Sequence, residues 1–331
     1  MNMEELIRIE HLKKYYTFSS GALGGKAYQV KAVDDVSLSV RRGEVFGVVG
    51  ESGCGKSTLA RLLIRLELPT QNRILYDGRD IFTMGGADLK ELRRKVSMVF
   101  QDPALSINPR FTIRQALERQ LIINGVDKKE MDGRMVRVMA DIGLDESYLA
   151  RYPHQLSGGE QQRASIARAI ILKPEFLILD EPTSALDVSI QAQILNLLLD
   201  IQQAYNLTYF FITHNLHVVR YVSDRIGVMY LGNIVEVGPT EEVTDSPLHP
   251  YTYGLVCAAP VLSPRLRDRE RFMLPGEPPS AIHVPSGCRL HPRCPFKTEL
   301  CEREQPRLRE ILPGRMAACH HAPIAGMKPA R

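Results

Sequence analysis

No stretch of this 331-residue chain reaches the roughly 18 uninterrupted apolar residues that a membrane-spanning helix requires. The oiliest segment, AIILKPEFLILDEP, is broken by Lys173, Pro174 and Glu175. The N-terminal MNMEELIRIEHL lacks the basic start and long apolar core of a secretory leader, so a cytosolic protein is expected. Nor is there a strong charge of one sign. The formal net charge is +4, and residues 261–331 hold 13 Lys/Arg against 7 Asp/Glu, which leaves the first 260 residues near −2. That distribution is no nucleic-acid footprint, and the basic tail reads first as a solvated face. Cysteine is scarce, six in all. In a reducing compartment a cluster of them predicts metal or catalytic chemistry rather than disulfides. No internal repeat is visible.

What is present is a globular composition. Hydrophobic residues make up 44% of the chain, enough for one large domain with an appendage or for two ordinary domains. The first 50 residues read as short strands, LIRIEHL, KAVDDVSLSV and EVFGVVG, with a Gly/Ser-rich loop, YTFSSGALGGKAYQ, between the first two. STLARLLIRLEL has leucine and isoleucine at helical spacing and stops at Pro69. A strand, VSMVF, ends at Gln101. Residues 113–150 carry two helical stripes that read as core: Ile113, Ala116, Leu117 and Leu121, then Met131, Met135, Val138, Met139 and Ile142. The predicted order beyond is helix 162–172, buried strand FLILD, helix 190–204, strand TYFFIT, helix 216–223 and strands near 225–237. Helices alternating with apolar strands predict an α/β fold, a mostly parallel sheet covered on both faces and interrupted by a helical insert. From Pro239 the texture turns to proline, arginine and cysteine and marks a C-terminal extension.

GESGCGKS fits G-x-x-x-x-G-K-[ST], follows a strand and opens a helix, as a phosphate-binding loop must. Gly50, Glu51, Ser52, Gly53, Cys54 and Gly55 would wrap a phosphate, with Thr58 just beyond. Lys56 would reach the β- and γ-phosphates and Ser57 would ligate Mg²⁺. FLILDE brings Asp180 and Glu181 to the carboxyl end of a buried strand, where ligands of open α/β sheets bind. Asp180 would hold Mg²⁺, directly or through water, and Glu181 would orient and polarise an attacking water. A helix-capping acid before Pro182 accounts for one carboxylate but not for two. Gln101 and His214 end two further strands and are placed for γ-phosphate contact, although a lone histidine there would be structural. LSGGEQQR offers a second anion pocket ahead of a helix, with no lysine adjoining. Cys54 sits at a helix N-terminus, where a thiol pKa tends to fall, but reads first as a small filler. Cys257 reads as a buried apolar residue.

GESGCGKS, the glutamine after MVF, LSGGEQQR, LILDEPTSALD and FITHN occur in this order, and together they make residues 6–240 resemble the ATP-binding cassette of ABC transporters. The resemblance implies a P-loop NTPase fold with N-terminal antiparallel strands. Its domains would be a cassette over 1–240, with a helical subdomain at about 102–160, and an extension over 241–331. Lys56, Ser57, Gln101, Asp180, Glu181 and His214 would then form one half of an ATP and Mg²⁺ site, with Gln101 among the metal contacts. An aromatic stacks on adenine in such cassettes; Tyr16 is matched to it, with Tyr15 the alternative. Ser157, Gly158 and Gly159 would cap the γ-phosphate held by a second cassette. Asp187, in SALD, would lie at the same interface, so that two chains clasp two ATPs head to tail.

A narrower resemblance, to the ATP-binding subunits of oligopeptide/dipeptide importers, is carried by FQDPALSINPR, EPTSALDVSIQAQILNLL, HPYTYGL and the cysteine-rich end. It implies an ATPase that powers peptide uptake, peripheral on the cytoplasmic face of the inner membrane. Its partners would be a second, paralogous ATPase subunit, two transmembrane permease subunits and an extracytoplasmic solute-binding protein, and not nucleic acid. The alternative, a soluble ABC ATPase acting on nucleic acid or ribosomes, would usually carry two cassettes in one chain or a long coiled-coil insert.

Cys288, Cys294, Cys301 and Cys319 are separated by five, six and seventeen residues. Four ionised thiolates would repel one another, so a cation or cluster is the expected partner, with Arg289, Arg293 and His291 offsetting residual charge. The gaps are not the paired C-x₂-C of zinc ribbons. The importer resemblance implies a [4Fe-4S] cluster, with zinc and free thiols as alternatives. His320 and His321 read as loop residues rather than ligands.

Overall fold

The computed structural model describes residues 4–19, 27–102, 106–259 and 272–324. The N-terminal half runs β1 (Glu5–Ser19), β2 (Ala27–Arg41), β3 (Val45–Val49), α1 (Lys56–Leu63), β4 (Gln71–Tyr76), β5 (Arg79–Asp80), α2 (Gly86–Lys95), β6 (Val96–Val99), α3 (Ile113–Ile123) and α4 (Lys128–Asp141). Next come α5 (Gly158–Ile170), β7 (Phe176–Asp180), α6 (Val188–Tyr205), β8 (Thr208–Thr213), α7 (Leu216–Val222), β9 (Arg225–Tyr230) and β10 (Asn233–Pro239). The tail adds α8 (Thr240–Asp245), α9 (Pro250–Ala258), α10 (Glu299–Arg303), β11 (Arg309–Leu312) and β12 (Arg315–Ala317). The chain forms two compact units, one of Met1–Glu4, Val40–Val45 and Thr83–Ile212, the other of Glu5–Ser39, Phe46–Phe82 and Thr213–Arg331.

The first unit contains a parallel ladder in which Val96 faces Phe176 and Phe176 faces Thr208. Every residue of β7 is buried, as expected for a strand covered on both faces. The insert follows from local signals. Thr112 begins α3 with a capping box that Gln115 completes, and Asp127 caps α4 through the Lys129 N–H. Ile113, Leu117 and Leu121 are buried on α3 and Met131, Met135, Val138 and Met139 on α4, as the periodicity requires; Ala116 is only half-buried.

In the second unit an antiparallel sheet has the order β2-β1-β4-β5. β3 pairs in parallel with β9, which continues antiparallel through β10 and β12 to β11. Two of these strands come from the C-terminal tail, whose strand content the sequence did not reveal. Arg315 of β12 pairs with Glu236 of β10 at 3.1 Å, and both are buried. Glu236 also accepts the Leu248 and His249 backbone N–H groups at 2.8 and 2.9 Å.

Two boundaries differ from expectation. The helix after the phosphate loop stops at Leu63 rather than near Pro69, because Arg65 takes a φ of +54° that no right-handed helix admits. Leu66 and Leu68, which completed the periodic run, stand exposed. Both ends of the Gly/Ser-rich segment are strand. β1 continues through Ser19 and β2 begins at Ala27, and residues 20–26 lie outside the described residues.

Candidate active site

In the second unit the phosphate loop joins β3 to α1. Two of its glycines are obligatory. A Cβ on Gly50 would lie 2.1 Å from the Met229 carbonyl oxygen, and Gly55 holds a φ of +110° with the Ala32 oxygen 2.0 Å from where its Cβ would be. Lys56 is buried, and its Nζ donates to the carbonyls of Gly50 at 2.8 Å and Glu51 at 3.0 Å. Cys54 beside it is buried too. Burial pushes its thiol up against the opposing pull of Lys56, which reverses the low pKa that a helix N-terminus suggested. Cys257, expected to be buried, is half-buried.

The two tyrosines of β1 are tied differently. Tyr16 donates its hydroxyl to Glu67, lies under the Lys14 ammonium at 4.9 Å and interacts with Thr58 at the start of α1. Tyr15 donates to Asp34, which also receives Arg289. His214 is exposed between β8 and α7, where Asn215 caps the helix through the His217 and Val218 N–H groups.

In the first unit Asp180 is buried at the end of β7, and Glu181 follows with a φ of +47°. Such a backbone in a non-glycine residue costs roughly 1–3 kcal/mol and persists where the surrounding structure over-determines it. The Glu181 N–H donates to the Ile212 carbonyl at 2.9 Å, which anchors the strained residue to β8. Gln101 approaches it, with Nε2 3.4 Å from Glu181 Oε2, so two of the predicted site residues meet.

The Ser-Gly-Gly segment, also in this unit, starts α5. Ser157 and Glu160 form a capping box: the Ser157 backbone N–H and hydroxyl donate to Glu160 Oε2 at 2.7 and 2.8 Å. Tyr148 donates to the other carboxylate oxygen at 2.7 Å, and this bond leads the causes that hold the Glu160 pKa below the usual range. Ser157 and Gly158 are exposed, whereas Gly159 is buried with Ile190 2.8 Å from where a Cβ would sit. Asp187 is exposed and caps α6 through the Ile190 N–H at 3.0 Å.

Cys288, Cys294, Cys301 and Cys319 line one small cavity of the tail. Burial pushes the thiols of Cys288 and Cys294 up, to about 12 and about 11. The expected compensating cations face elsewhere: Arg289 pairs with Asp34 and Arg293 with Glu51. Among the described residues no group of three or more His, Cys, Asp or Glu is arranged to hold a metal ion. The structure thus gathers four thiols at one cavity but does not support the cluster-binding set that the resemblance implied. His321 lies in a turn, with Nε2 3.0 Å from Thr298 Oγ1 and 3.5 Å from Cys301 Sγ.

Sequence reasoning missed Tyr251 and Arg293. Tyr251 accepts the Glu51 backbone N–H at 2.9 Å, and Arg293 clasps the Glu51 carboxylate. The signal was HPYTYGL, in which His249 caps α9 by accepting the Tyr251 N–H and Pro250 opens the helix.

Known proteins share this chain's family and fold. Residues 33–184 match the family described as ABC transporter, and residues 235–301 match the oligopeptide/dipeptide transporter, C-terminal region. A dimeric structure of the ATP-binding cassette MJ0796 bound to ADP and Pi aligns with a TM-score of 0.62 at 28% identity, covering 71% of this chain and 99% of that one. The fold is thus that of an ABC cassette. The chain is 46% identical to the oligopeptide transport ATP-binding protein AppF of Bacillus subtilis, covering 96% of this chain and 98% of AppF. It is 48% identical to the dipeptide transport ATP-binding protein DppF of Haemophilus influenzae, covering 94% of each. The chain belongs to the oligopeptide/dipeptide type of ABC transporter ATP-binding proteins, which are ATPases.

Proposed function

We propose that this chain is the ATP-hydrolysing subunit of a peptide importer. Lys56 and the loop amides hold the β- and γ-phosphates, and Tyr16 stacks on adenine. Ser57, Gln101 and Asp180 supply the oxygen donors that a hard cation such as Mg²⁺ takes, and that ion would neutralise charge developing on the phosphoryl oxygens. Glu181 orients the attacking water, with His214 and Gln101 on the γ-phosphate side. The observation that carries this reading is the approach of Gln101 to within 3.4 Å of the Glu181 carboxylate at the end of the buried strand that also delivers Asp180.

The exposed Ser157 and Gly158, with Gly159 and Asp187, serve a nucleotide held by a second cassette. That partner is a paralogous ATPase subunit. The cassette over 1–240 drives two permease subunits through its helical insert at about 102–160, and a solute-binding protein delivers the peptide from outside. No helix among the described residues is long and apolar enough to cross a membrane, which suits a peripheral subunit at the cytoplasmic face of the inner membrane. For the extension over 241–331, a [4Fe-4S] cluster ahead of zinc rests on the resemblance to the importer subunits alone, and Cys288, Cys294, Cys301 and Cys319, which line one cavity, would be its ligands.

Purification from native membranes tests the assembly. Two permease chains and a second cassette should co-purify, and recovery with ribosomes or DNA instead would overturn the transporter reading. Anaerobically purified protein should contain iron and sulfide and lose both in Cys294→Ser; stoichiometric zinc without iron would refute the cluster.

A further inference from the structure

The phosphate loop is gripped from the C-terminal tail at a single residue. Glu51 is the second residue of the loop, and its backbone N–H donates to the Tyr251 phenol oxygen at 2.9 Å. Arg293 donates from Nη1 to both Glu51 carboxylate oxygens, at 3.2 and 3.4 Å, and from Nη2 to one of them at 3.4 Å. Both gripping groups are themselves fixed. Tyr251 is fully buried and packs against Tyr230, with ring centroids 4.5 Å apart. The Arg293 side chain is 9% exposed, donates from Nε to the Pro275 carbonyl at 3.1 Å, and faces the Tyr230 ring. The Glu51 carbonyl, on the other side of the same residue, receives Lys56 Nζ at 3.0 Å.

We propose that Tyr251 and Arg293 are positioning residues for ATP binding: by holding the backbone and side chain of Glu51, they pre-set the phosphate loop before nucleotide arrives. A loop of this kind binds phosphate through backbone N–H groups aimed at one point. A loop that must order on binding loses affinity to that ordering, and one ordered beforehand does not. Glu51 occupies a position where the loop pattern itself asks for no particular side chain. The carboxylate therefore serves the arginine, and the tail of the chain sets the affinity of its first phosphate site. This inference rests on the reading of residues 50–57 as the ATP loop.

The test titrates MgATP into the full-length chain and into Tyr251→Phe, Arg293→Met, Arg293→Lys, Glu51→Gln and the Arg293→Met/Glu51→Gln pair, with thermal unfolding of each. Tyr251→Phe leaves the Glu51 N–H without its acceptor, and Arg293→Met releases the carboxylate. Each should weaken ATP binding roughly three- to thirtyfold. Arg293→Lys should recover part of the loss. In the Glu51→Gln background, Arg293→Met should add much less than it does alone. A purely architectural role would lower the melting temperature but give additive effects on affinity, and additivity overturns the proposal. So does unchanged affinity in folded Tyr251→Phe and Arg293→Met. Lys56→Ala separates the two levels: if it binds ATP like the parent, the loop reading falls and the inference with it. If it abolishes binding while the tail variants change nothing, only the inference falls.

Discussion

Arg289 and Asp34, 255 positions apart in the chain, form a buried ion pair. Asp34 also accepts the Tyr15 hydroxyl, and Arg289 also donates to the Leu231 carbonyl. Burial alone would raise the Asp34 pKa. Tyr15 and Arg289 together overcome that and hold it below the usual carboxylate range. The tail is thereby tied to the strand hairpin that carries Tyr15 and Tyr16.

Removing one partner of such a pair strands the other charge. Arg289→Met is expected to cost about 3–5 kcal/mol of stability, and Arg289→Met/Asp34→Asn distinctly less, because no charge is then left buried. Urea unfolding of the two variants measures this. Equal losses in both would show that the pair contributes through packing alone.

How much of this was visible in the sequence depends on distance along the chain. The phosphate loop and the paired acids are each written within about eight consecutive residues, so they could be read from spacing; the Ser157 capping box, though just as local, emerged only in the structure. The two helical stripes of the insert were equally legible, since burial follows the 3.6-residue period. The grips of Tyr251 and Arg293 on Glu51 span 200 and 242 positions. No local period encodes such a pairing. For the same reason the arginines beside Cys288 and Cys294 were assigned to the thiols, their neighbours in sequence, instead of to their carboxylate partners in space. Helix α1 failed for a different cause: its leucine spacing persists past Leu63, but one left-handed residue, Arg65, ends the helix regardless.

Glu181→Gln preserves the size of the side chain and its reach to Gln101 while removing the charge that would orient and polarise the attacking water. ATP binding should be retained, and turnover should fall by about 10²- to 10⁴-fold. Phosphate release under saturating MgATP, alongside a nucleotide titration, separates the two. Undiminished turnover would remove Glu181 from the role assigned to it.

Ser157→Ala removes an N-cap and, in the proposed assembly, a contact to the nucleotide of the opposite cassette. The cap itself is worth about 0.5–2 kcal/mol, which thermal unfolding of the isolated chain should show. In an assembly containing one altered chain, the defect in hydrolysis should appear at the site whose Lys56 belongs to the unaltered partner. Pairing Ser157→Ala with Lys56→Ala in the same chain and in opposite chains distinguishes the cases. A defect confined to the altered chain's own loop contradicts the shared site.

His249 is fully buried, and its pKa is driven down to about 3 by that burial. The imidazole is neutral and accepts the Tyr251 N–H at 3.1 Å, while the His249 backbone N–H is held by Glu236. Unfolding exposes the ring and returns it to an ordinary pKa near 6.5, so the unfolded chain gains a proton that the folded chain refuses. Stability from this residue is therefore intact above about pH 6.5 and declines as pH falls toward 3. Between pH 7 and pH 5 the loss should be about 2 kcal/mol. In His249→Asn the cap is kept and the titration removed, so the slope of stability against pH over that interval should flatten, even if the variant is less stable throughout. Urea unfolding at pH 7, 6 and 5 measures both slopes. Parallel slopes would mean that His249 binds protons equally in the folded and unfolded chains, so that burial does not depress its pKa.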